Sequence, residues 1–438
     1  MKLYYFIVII VAGIGLFGCN TNHRGEVVGV YQRSFRAEVP TGMAYIPAGT
    51  FLMGPVDQDI TFAQIGDNKQ VSIPAFYMDE YELSNSKYKQ FVNWVRDSIA
   101  ITQYLNDDKY YVHPKGATPS KSSTARKYID WDYVAKHPPF RNSKGQNNSS
   151  KLENMFYQGD DRVFDRNEID VTRLKYNYAM YLLNDAANNQ GNTKKKRSDF
   201  ILRDTLPIYP DTLVWLRNFS YSANEPYAQG YFSHPAYNYY PVVGVTWRQA
   251  RAFAAWRTKL QDAAATDGRH LTQSRLPYDL PSESQFEYAA RGGRIGTNYP
   301  WGGPYIKNAK GCLLANFKPG RGDYTSDGGL MTVKVNAYMP NDYGLYNMAG
   351  NVAEWTLSSY DEASSSFVSD LNPSFTYNAK KSDPEVKKRK VVRGGSFKDV
   401  GYFLQNSTRT YEYQDTAKAY IGFRCVTTFI GRDINDRN

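Results

Sequence analysis

The cysteine side chains are the most reactive groups in this sequence, which contains Cys19, Cys312 and Cys425. Thiolates bind soft metals such as Cu(I) and can form disulfides. No CxxC pair occurs and the histidines are scattered, so the spacing of a zinc site is absent from the sequence. In an oxidising compartment Cys312 and Cys425 can pair or can both be buried thiols. We favour buried, unpaired thiols.

Cys19 stands directly after an apolar, uncharged run at residues 3–17, which follows Lys2. This run is shorter than the ~20 residues that a membrane-spanning helix needs, and it fits the apolar core of a secretory signal peptide. The ending Leu16-Phe17-Gly18-Cys19 resembles the bacterial lipobox. The resemblance implies removal of residues 1–18 and lipidation of Cys19. The alternative is a short anchor helix with an incidental cysteine.

After a tether without periodicity at residues 19–40, two regular segments begin. Residues 42–54 alternate apolar positions around a central Pro-Ala-Gly, which predicts two short strands. Residues 71–85 continue with a strand, and Ser84 or Asn85 can cap the following helix. One face of that helix is apolar, formed by Tyr88, Phe91, Val92 and Val95.

Two more regular segments follow in the second half of the chain. A buried strand is predicted at residues 241–245, leading into Thr246 as the N-cap of a helix. Further on, Ser282 with Gln285 forms a capping box at the start of another helix. Gly292 is expected to end that helix.

Residues 96–236 have a different texture, with turn-rich, polar stretches and a basic run at residues 194–197. Long loops of this kind carry function or lie disordered. The net charge of the chain is +10, which suits an anionic membrane surface or an acidic protein partner, or serves only solubility. We do not expect nucleic acid as a partner, because the chain is exported and has no recognition motif.

Six ordered motifs of this chain resemble the formylglycine-generating-enzyme (sulfatase-modifying-factor) family. They are GMAYIPAGTFLMG (42–54), PVVGVTWRQARAFAAW (241–256), RLPYDLPSESQFEYAARGG (275–293), NDYGLYNMAGNVAEWT (341–356), VVRGGSF (391–397) and IGFRC (421–425). The resemblance implies an α+β fold similar to the C-type lectin scaffold, with little regular secondary structure. We therefore expect one such domain over residues 41–430, interrupted by a long family-specific insertion at residues 96–236.

The same resemblance locates the positions where the active enzymes carry chemistry. In those enzymes two cysteines after the RGGSF-like motif bind copper, and here Asp399 and Leu404 occupy these positions. A carboxylate and an isobutyl group cannot form a Cu(I) dithiolate. Cys425 belongs to the GFRC motif, which packs structurally in the family. We therefore expect no copper and no enzymatic activity.

Two structural calcium sites of the family have matching residues in this chain. The first set is Asn316, Phe317 (through its carbonyl) and Asp327; the second is Asn347, Gly350, Val352 and Glu354, with Gly350 and Val352 using carbonyls. Such oxygen ligands suit calcium. The second set is the closer match to the family, and the loop of the first set is shorter here. Alternatively, Asn347 and Glu354 only satisfy buried backbone groups.

Three further segments are FYMDEYELSNSKYKQFVNWVRDSIA (76–100), LENMFYQGDDRVFDRNEIDVTRLKYNYAMYLL (152–183) and ANFKPGRGDYTSDGG (315–329). On these segments the chain resembles, within the family, the gliding-motility and type IX secretion lipoproteins of the GldK/PorK kind, and the resemblance extends into the insertion. It implies a non-catalytic, lipid-anchored protein on the periplasmic side of the outer membrane. Such proteins form a homo-oligomeric ring with a partner protein of the GldN/PorN type. The alternatives are a formylglycine-generating-like enzyme with altered chemistry, and a lectin-like module that binds glycan or peptide.

Overall fold

Two four-stranded sheets lie at the centre of the fold, and two separate hairpins accompany them. The computed structural model describes residues 39–55, 68–112, 128–141, 148–192, 194–266 and 276–430. Cys19, the predicted signal peptide and most of the predicted tether lie outside the described residues. The mixture of short strands and helices joined by structured loops confirms the α+β fold class.

The described strands are β1 (Met43–Ile46), β2 (Gly49–Met53), β3 (Lys69–Ile73), β4 (Phe76–Asp79), β5 (Lys175–Tyr181), β6 (Ile201–Pro207), β7 (Tyr278–Asp279), β8 (Ala353–Ser359), β9 (Arg389–Arg393), β10 (Thr410–Tyr413), β11 (Ile421–Gly422) and β12 (Val426–Thr428). One sheet has the antiparallel order β1-β4-β12-β7. The other has the order β10-β9-β8-β11, in which β11 runs parallel to β8. The hairpins are β2–β3 and β5–β6.

The described α-helices are α1 (Asn85–Ile99), α2 (Trp131–Lys136), α3 (Ser149–Leu152), α4 (Leu183–Asn188), α5 (Val214–Arg217), α6 (Glu225–Gly230), α7 (Trp247–Thr266), α8 (Glu283–Arg291) and α9 (Ser364–Phe367). A π-helical turn, Ala100–Leu105, continues α1. Short 3-10 helices lie at Asp108–Tyr110, Glu153–Met155, Gly159–Asp161, Val171–Arg173, Arg197–Phe200, Pro235–Tyr237, Glu385–Lys388 and Gly401–Leu404. In the described part of the chain, none of the helices combines the length and apolar character required to cross a bilayer.

The predicted helix boundaries agree with the structure where the capping residues are local. Ser84 is the N-cap of α1, and the predicted apolar face of that helix is buried. Ser282 and Gln285 form the capping box of α8, and Gly292 ends the helix in a left-handed conformation. Thr246 accepts a hydrogen bond from the backbone N–H of Gln249 at the start of α7. Side-chain capping fixes these ends because it satisfies amides that lack helical partners.

The predicted strand at residues 241–245 is wrong. Its valines are buried as expected, but the segment makes only an isolated bridge between Pro241 and Ser84. Gly244 adopts a φ of 73° and its N–H and carbonyl bond to separate loops, to Lys418 and Asp211. A left-handed residue in the middle of the segment prevents a continuous ladder with one neighbouring strand.

The region between residues 96 and 236 packs into the same core as the rest of the fold. Helix α1 passes residue 96 without interruption, and the hydroxyl of Tyr88 on that helix donates a 2.8 Å hydrogen bond to the carbonyl of Ile208. The β5–β6 hairpin places Tyr176 and Tyr178 in the main hydrophobic cluster. The predicted insertion is therefore a structural part of this core.

Candidate functional site

The segment that contains Asp399 and Leu404, the two positions singled out by the family resemblance, leaves the sheet at the end of β9. Gly394 and Gly395 both have positive φ, and a Cβ on Gly395 would lie 2.7 Å from the carbonyl oxygen of Phe403. Only glycine allows so close an approach at this backbone angle. The chain then forms a turn, in which the N–H of Asp399 donates to the carbonyl of Ser396 at 2.9 Å, and a 3-10 helix ending at Leu404.

The carboxylate of Asp399 forms a hydrogen bond and an ion pair with residues of its own turn. Its Oδ2 accepts a 2.6 Å hydrogen bond from the hydroxyl of Ser396, and its Oδ1 lies 2.9 Å from Nζ of Lys398. The backbone carbonyl of Asp399 accepts a 2.9 Å hydrogen bond from the N–H of Lys318. This oxygen donor set stabilises a tight turn and has no soft ligand for copper.

Leu404 is completely buried, with 0% of its surface exposed. Its side chain belongs to a small hydrophobic cluster with Tyr299, Ala315, Phe317 and Ala349. A metal ligand at this position would need a donor atom and access to the ion, and Leu404 has neither. Leu404 therefore serves the core.

Aromatic side chains from residues 96–236 cover Phe397, which lies within this turn. The ring of Phe397 is buried, and the rings of Trp215 and Phe219 lie 6.3 and 5.9 Å from it. On the other side of the turn, Nζ of Lys398 lies 4.2 Å from the ring centroid of Tyr420. The surroundings of position 399 are thus filled by packed aromatic and cationic groups.

The first predicted calcium set is brought together in the structure. The N–H of Phe317 donates a 2.7 Å hydrogen bond to Oδ2 of Asp327, and the N–H of Gly329 donates a 3.0 Å hydrogen bond to Oδ1. Burial raises the pKa of the Asp327 carboxyl. A cation would favour the ionised form of this carboxylate, because an opposite charge lowers the free energy of the anion.

Asn316 gives this set an orphaned acceptor. Its Nδ2 donates to the carbonyl of Met331 at 2.7 Å and to Oδ1 of Asn351 at 3.2 Å, which fixes the amide orientation. Its Oδ1 is buried and has no hydrogen-bond partner among the described residues. A Cβ on Gly329 would lie 3.1 Å from this oxygen, so glycine keeps the space next to it open. A buried oxygen without a donor fits a hard cation such as Ca²⁺.

The second predicted calcium set is organised around a residue that the sequence interpretation missed, Glu82. Nδ2 of Asn347 donates a 3.0 Å hydrogen bond to Oε2 of Glu82, and the N–H of Val352 donates a 3.1 Å hydrogen bond to Oε1. Gly350 has a φ of 85°, and a Cβ there would lie 2.5 Å from the carbonyl oxygen of Asn316. The sequence signal that could have indicated Glu82 is a glutamate placed between a predicted strand and the N-cap Ser84, in DEYELSN (79–85).

Glu354, the charged member of the second set, is already compensated. Both of its oxygens accept hydrogen bonds from Arg424, at 2.6–3.0 Å, and the two side chains are almost completely buried. Burial, followed by repulsion from Glu354, raises the pKa of Glu82 to about 8. The arginine thus supplies the positive charge that calcium would bring to Glu354, and the first set fits the ion better.

Cys312 and Cys425, the two cysteines in the described residues, are not paired, as predicted, but their burial differs. Cys425 is buried, whereas Cys312 is exposed, so the expectation that both are buried is wrong for Cys312. Cys312 lies in a loop whose amides bond to the side chain of Asn308 and which leaves the thiol outside the core. Burial raises the pKa of the Cys425 thiol, which keeps it protonated and unreactive.

Within the described residues there is no group of three or more His, Cys, Asp or Glu side chains placed to hold a metal ion. A calcium site built from the described residues therefore takes most of its ligands from amide and backbone oxygens, beside a carboxylate such as that of Asp327. Such ligands are common for Ca²⁺ and uncommon for copper or zinc.

The fold, the glycine turns and the motif residues define a member of a known family. The profile of the sulfatase-modifying factor enzyme 1-like domain matches residues 30–429, and the chain belongs to this family. It is 27% identical to the formylglycine-generating enzyme of Bos taurus over 397 residues, covering 89% of this chain and 76% of that protein. It is 34% identical over 194 residues to a second Bos taurus protein, inactive C-alpha-formylglycine-generating enzyme 2.

The match to the inactive protein covers 43% of this chain and half of that relative. Among solved structures, PvdO from Pseudomonas aeruginosa aligns with a TM-score of 0.44 and 17% identity, covering 88% of this chain and 94% of that chain. The relatives thus include a protein named as an enzyme and one named as inactive. Membership of the family therefore does not establish whether this chain is an enzyme.

Proposed function

We propose that this chain is a non-catalytic structural lipoprotein of the type IX secretion and gliding-motility machinery. The observation that carries the proposal is the state of the two former cysteine positions. Leu404 is buried in an apolar cluster and Asp399 is bonded to Ser396 and Lys398. Without paired thiolates the scaffold cannot hold Cu(I), so in this proposal its shape serves packing and contacts.

In this proposal Cys19 carries the lipid, and the folded part lies on the periplasmic side of the outer membrane. Several copies form a ring together with a partner of the GldN/PorN type. A closed ring needs a heterologous interface, in which one surface of each copy contacts a different surface of the next copy. The rotation between neighbouring copies must bring the last copy back to the first. The basic charge of the chain suits an acidic partner or the anionic membrane surface.

We place the partner-binding surface on residues 159–166 of the inserted region. Phe164 is 80% exposed and has a φ of 53°, which is costly for a bulky side chain. Val163 beside it is also exposed, and the guanidinium of Arg166 lies 5.9 Å from the ring of Phe164. An exposed aromatic next to an arginine has the composition of an interface hot spot.

The test is affinity purification of the full chain from detergent extracts of the envelope, followed by electron microscopy. We expect annular particles that contain a second protein. The variant Phe164→Ser should lose the second protein, whereas Ile295→Ser, at an even more exposed apolar residue outside residues 96–236, should keep it. Retention of the partner by Phe164→Ser would refute the proposed surface, and absence of any partner or ring would refute the structural role.

The competing candidate is an enzyme with altered chemistry, which the similarity to the Bos taurus formylglycine-generating enzyme favours. Copper and oxygen uptake by the purified chain, measured with and without a cysteine-containing peptide, distinguishes the two functions, and we expect neither uptake. We expect no aldehyde in the peptide by mass spectrometry. Stoichiometric or catalytic conversion would overturn the non-catalytic proposal.

We also propose that the first calcium set, Asn316, Phe317 and Asp327, holds a structural Ca²⁺. The orphaned Oδ1 of Asn316 and the half-buried carboxylate of Asp327 support it. The ion would join the loop around Asp327 to the cluster that contains Phe317 and Leu404. Its role would be to stabilise the scaffold, with no part in a reaction.

A further inference from the structure

A cavity of about 350 Å³ lies between the β2–β3 hairpin, the first turn of α8 and the segments 364–375 and 402–409. Its volume falls at the lower end of the range for small-molecule sites. Its apolar walls are formed by Met53, Val71, Pro373, Phe375, Tyr402 and Phe403. Such walls favour a ligand with a carbon body, because covering them removes apolar surface from water.

The ion pairs at the cavity wall leave a surplus of positive charge. Glu283, which lines the cavity, pairs with Arg393 and with Arg409, whose Nε and Nη2 donate to its two carboxylate oxygens at 2.5 and 3.0 Å. Glu287, also at the wall, pairs with Arg291 and Arg393. Three guanidinium groups thus share two carboxylates, and the network keeps one positive charge. Apolar walls around such a charge strengthen its attraction for anions, because screening by water is weaker there.

Lys69 adds a second positive charge to the wall. Its Nζ donates to the backbone carbonyl of Ser365 at 3.2 Å and to that of Val368, and all three residues line the cavity. In the described part of the chain, the ammonium forms no ion pair with a carboxylate. Backbone carbonyls accept hydrogen bonds but carry no net charge, so the charge of Lys69 is not neutralised. Two of its three N–H donors have these acceptors, and the third is left for a ligand.

The apolar walls and the surplus charge together select an anion with an apolar body. A neutral ligand would cover the walls but leave the charge of Lys69 without a counter-charge, and a cation would be repelled. A bare inorganic anion would pair with the charge but cover none of the apolar surface. A carboxylate on an apolar body does both, and a hydrogen bond from an ammonium to a carboxylate is roughly twice as strong as one between neutral groups.

From this combination we infer that the cavity binds a small monocarboxylic acid with an apolar, ring-containing body, whose carboxylate accepts a hydrogen bond from Nζ of Lys69. The aromatic side chains Phe375, Tyr402 and Phe403 offer faces and edges to the ring of the ligand. The volume of the cavity suits a free small acid. The inference is independent of the proposed ring and of the calcium site, because the cavity shares no residue with the surface 159–166 or with the first calcium set.

The experiment is ¹⁹F NMR of 3-(4-fluorophenyl)propanoate with the full chain in a neutral detergent. The comparison ligands are the neutral 3-(4-fluorophenyl)propanamide and the cationic 3-(4-fluorophenyl)propan-1-amine, and detergent without protein gives the background. We expect the acid to bind roughly 10-fold more tightly than the amide, the effect of one hydrogen bond to a charged group, and the amine to bind least. Absence of acid binding above the background, or an amide or amine that binds as tightly as the acid, would overturn the inference.

The variant Lys69→Met keeps an apolar side chain and removes the charge. It should weaken binding of the acid roughly 10-fold and leave binding of the amide unchanged, which also shows that the cavity is intact. The matched control is Lys89→Met, because Nζ of Lys89 likewise donates to neutral acceptors, on Ser233 and Asn238, away from the cavity. Equal weakening in both variants would show a general effect of charge and contradict the site.

Two competitors test the size and the apolar body of the ligand. Acetate should not displace the fluorinated acid at concentrations at which 3-phenylpropanoate does, because acetate covers little of the apolar wall. Displacement by acetate at those concentrations would contradict the role of the walls. Tighter binding of the peptide Gly-Gly-Phe than of 3-phenylpropanoate would contradict a free small acid as the ligand.

Discussion

The ring of Trp215 lies 6.3 Å from the ring of Phe397, with 22° between the two planes. Trp215 belongs to α5 in the inserted region, whereas Phe397 follows the glycine turn just before Asp399. Both side chains are buried in one hydrophobic cluster. Trp215, within residues 96–236, and the segment that contains Asp399 therefore belong to a single packed structure.

If this contact holds the two regions together, Trp215→Ala should lower the free energy of unfolding by about 3–5 kcal/mol, as for other large aromatic residues removed from a core. Chemical denaturation followed by circular dichroism measures the change. Tyr221→Ala is the matched control, because Tyr221 is fully exposed and its removal should change stability by less than about 0.5 kcal/mol. Equal effects of both substitutions would mean that the insertion is a separable module.

The buried pair of Glu354 and Arg424 gives a second prediction. Arg424→Met leaves the carboxylate of Glu354 without its partner in the core, and we expect a loss of about 3–5 kcal/mol in the free energy of unfolding. The double variant Glu354→Leu with Arg424→Met should recover much of this loss, since no unpaired charge remains. A double variant no more stable than the single one would argue against the pairing as the cause.

Lys390 predicts a pH dependence of stability. Its Nζ is buried 4.1 Å from the ring of Trp247 and donates to Oγ of Ser359 at 3.1 Å and to the carbonyl of Tyr377. Burial, with a smaller contribution from the charge of Arg251, lowers the pKa of Lys390 to about 7 from its ordinary value of 10.5. Above pH 7 the unfolded chain therefore binds more protons at this residue than the folded chain does.

The contribution of Lys390 to the free energy of unfolding should thus rise with pH, by up to about 3 kcal/mol between pH 7 and 9.5. Below pH 7 the lysine is protonated in both states, and its contribution stays constant. The measurement is urea denaturation of the wild type and of Lys390→Met across this range. The difference between the two curves isolates Lys390 from other groups, and a difference that does not change with pH would contradict the prediction.

The proposed calcium site is tested by thermal unfolding with and without EDTA. At a calcium concentration of roughly 100 times Kd, binding should raise the free energy of unfolding by about 2.7 kcal/mol. Asp327→Asn should abolish most of this increase, whereas Asp323→Asn, at an exposed carboxylate of the same loop outside the set, should keep it. Isothermal titration without calcium binding to the wild type would refute the site.

Local sequence signals predicted the parts of the fold that local interactions decide. Ser282 and Gln285 are three residues apart and bond to each other's backbone, so the start of α8 is readable from their spacing. Strand β5 also had a sequence signal, because Tyr176 and Tyr178 alternate with the polar residues Lys175 and Asn177. This alternation was missed because the strand lies among polar, turn-rich stretches. The apolar run after Pro241 predicted a strand because a short run of buried valines is typical of one. Such a run does not reveal whether the backbone has a neighbouring strand to bond to, and here it has none among the described strands.

The amino-acid sequence by itself determined that positions 399 and 404 lack thiols, because side-chain chemistry does not depend on the fold. It also determined the family, through ordered motifs. Only the tertiary structure decided that Glu82 is the centre of the second predicted calcium set, that Arg424 compensates Glu354, and that Cys312 is exposed. The physical reason is that burial and charge pairing arise between residues distant in the chain, as from Glu82 to Val352, and no local spacing records them.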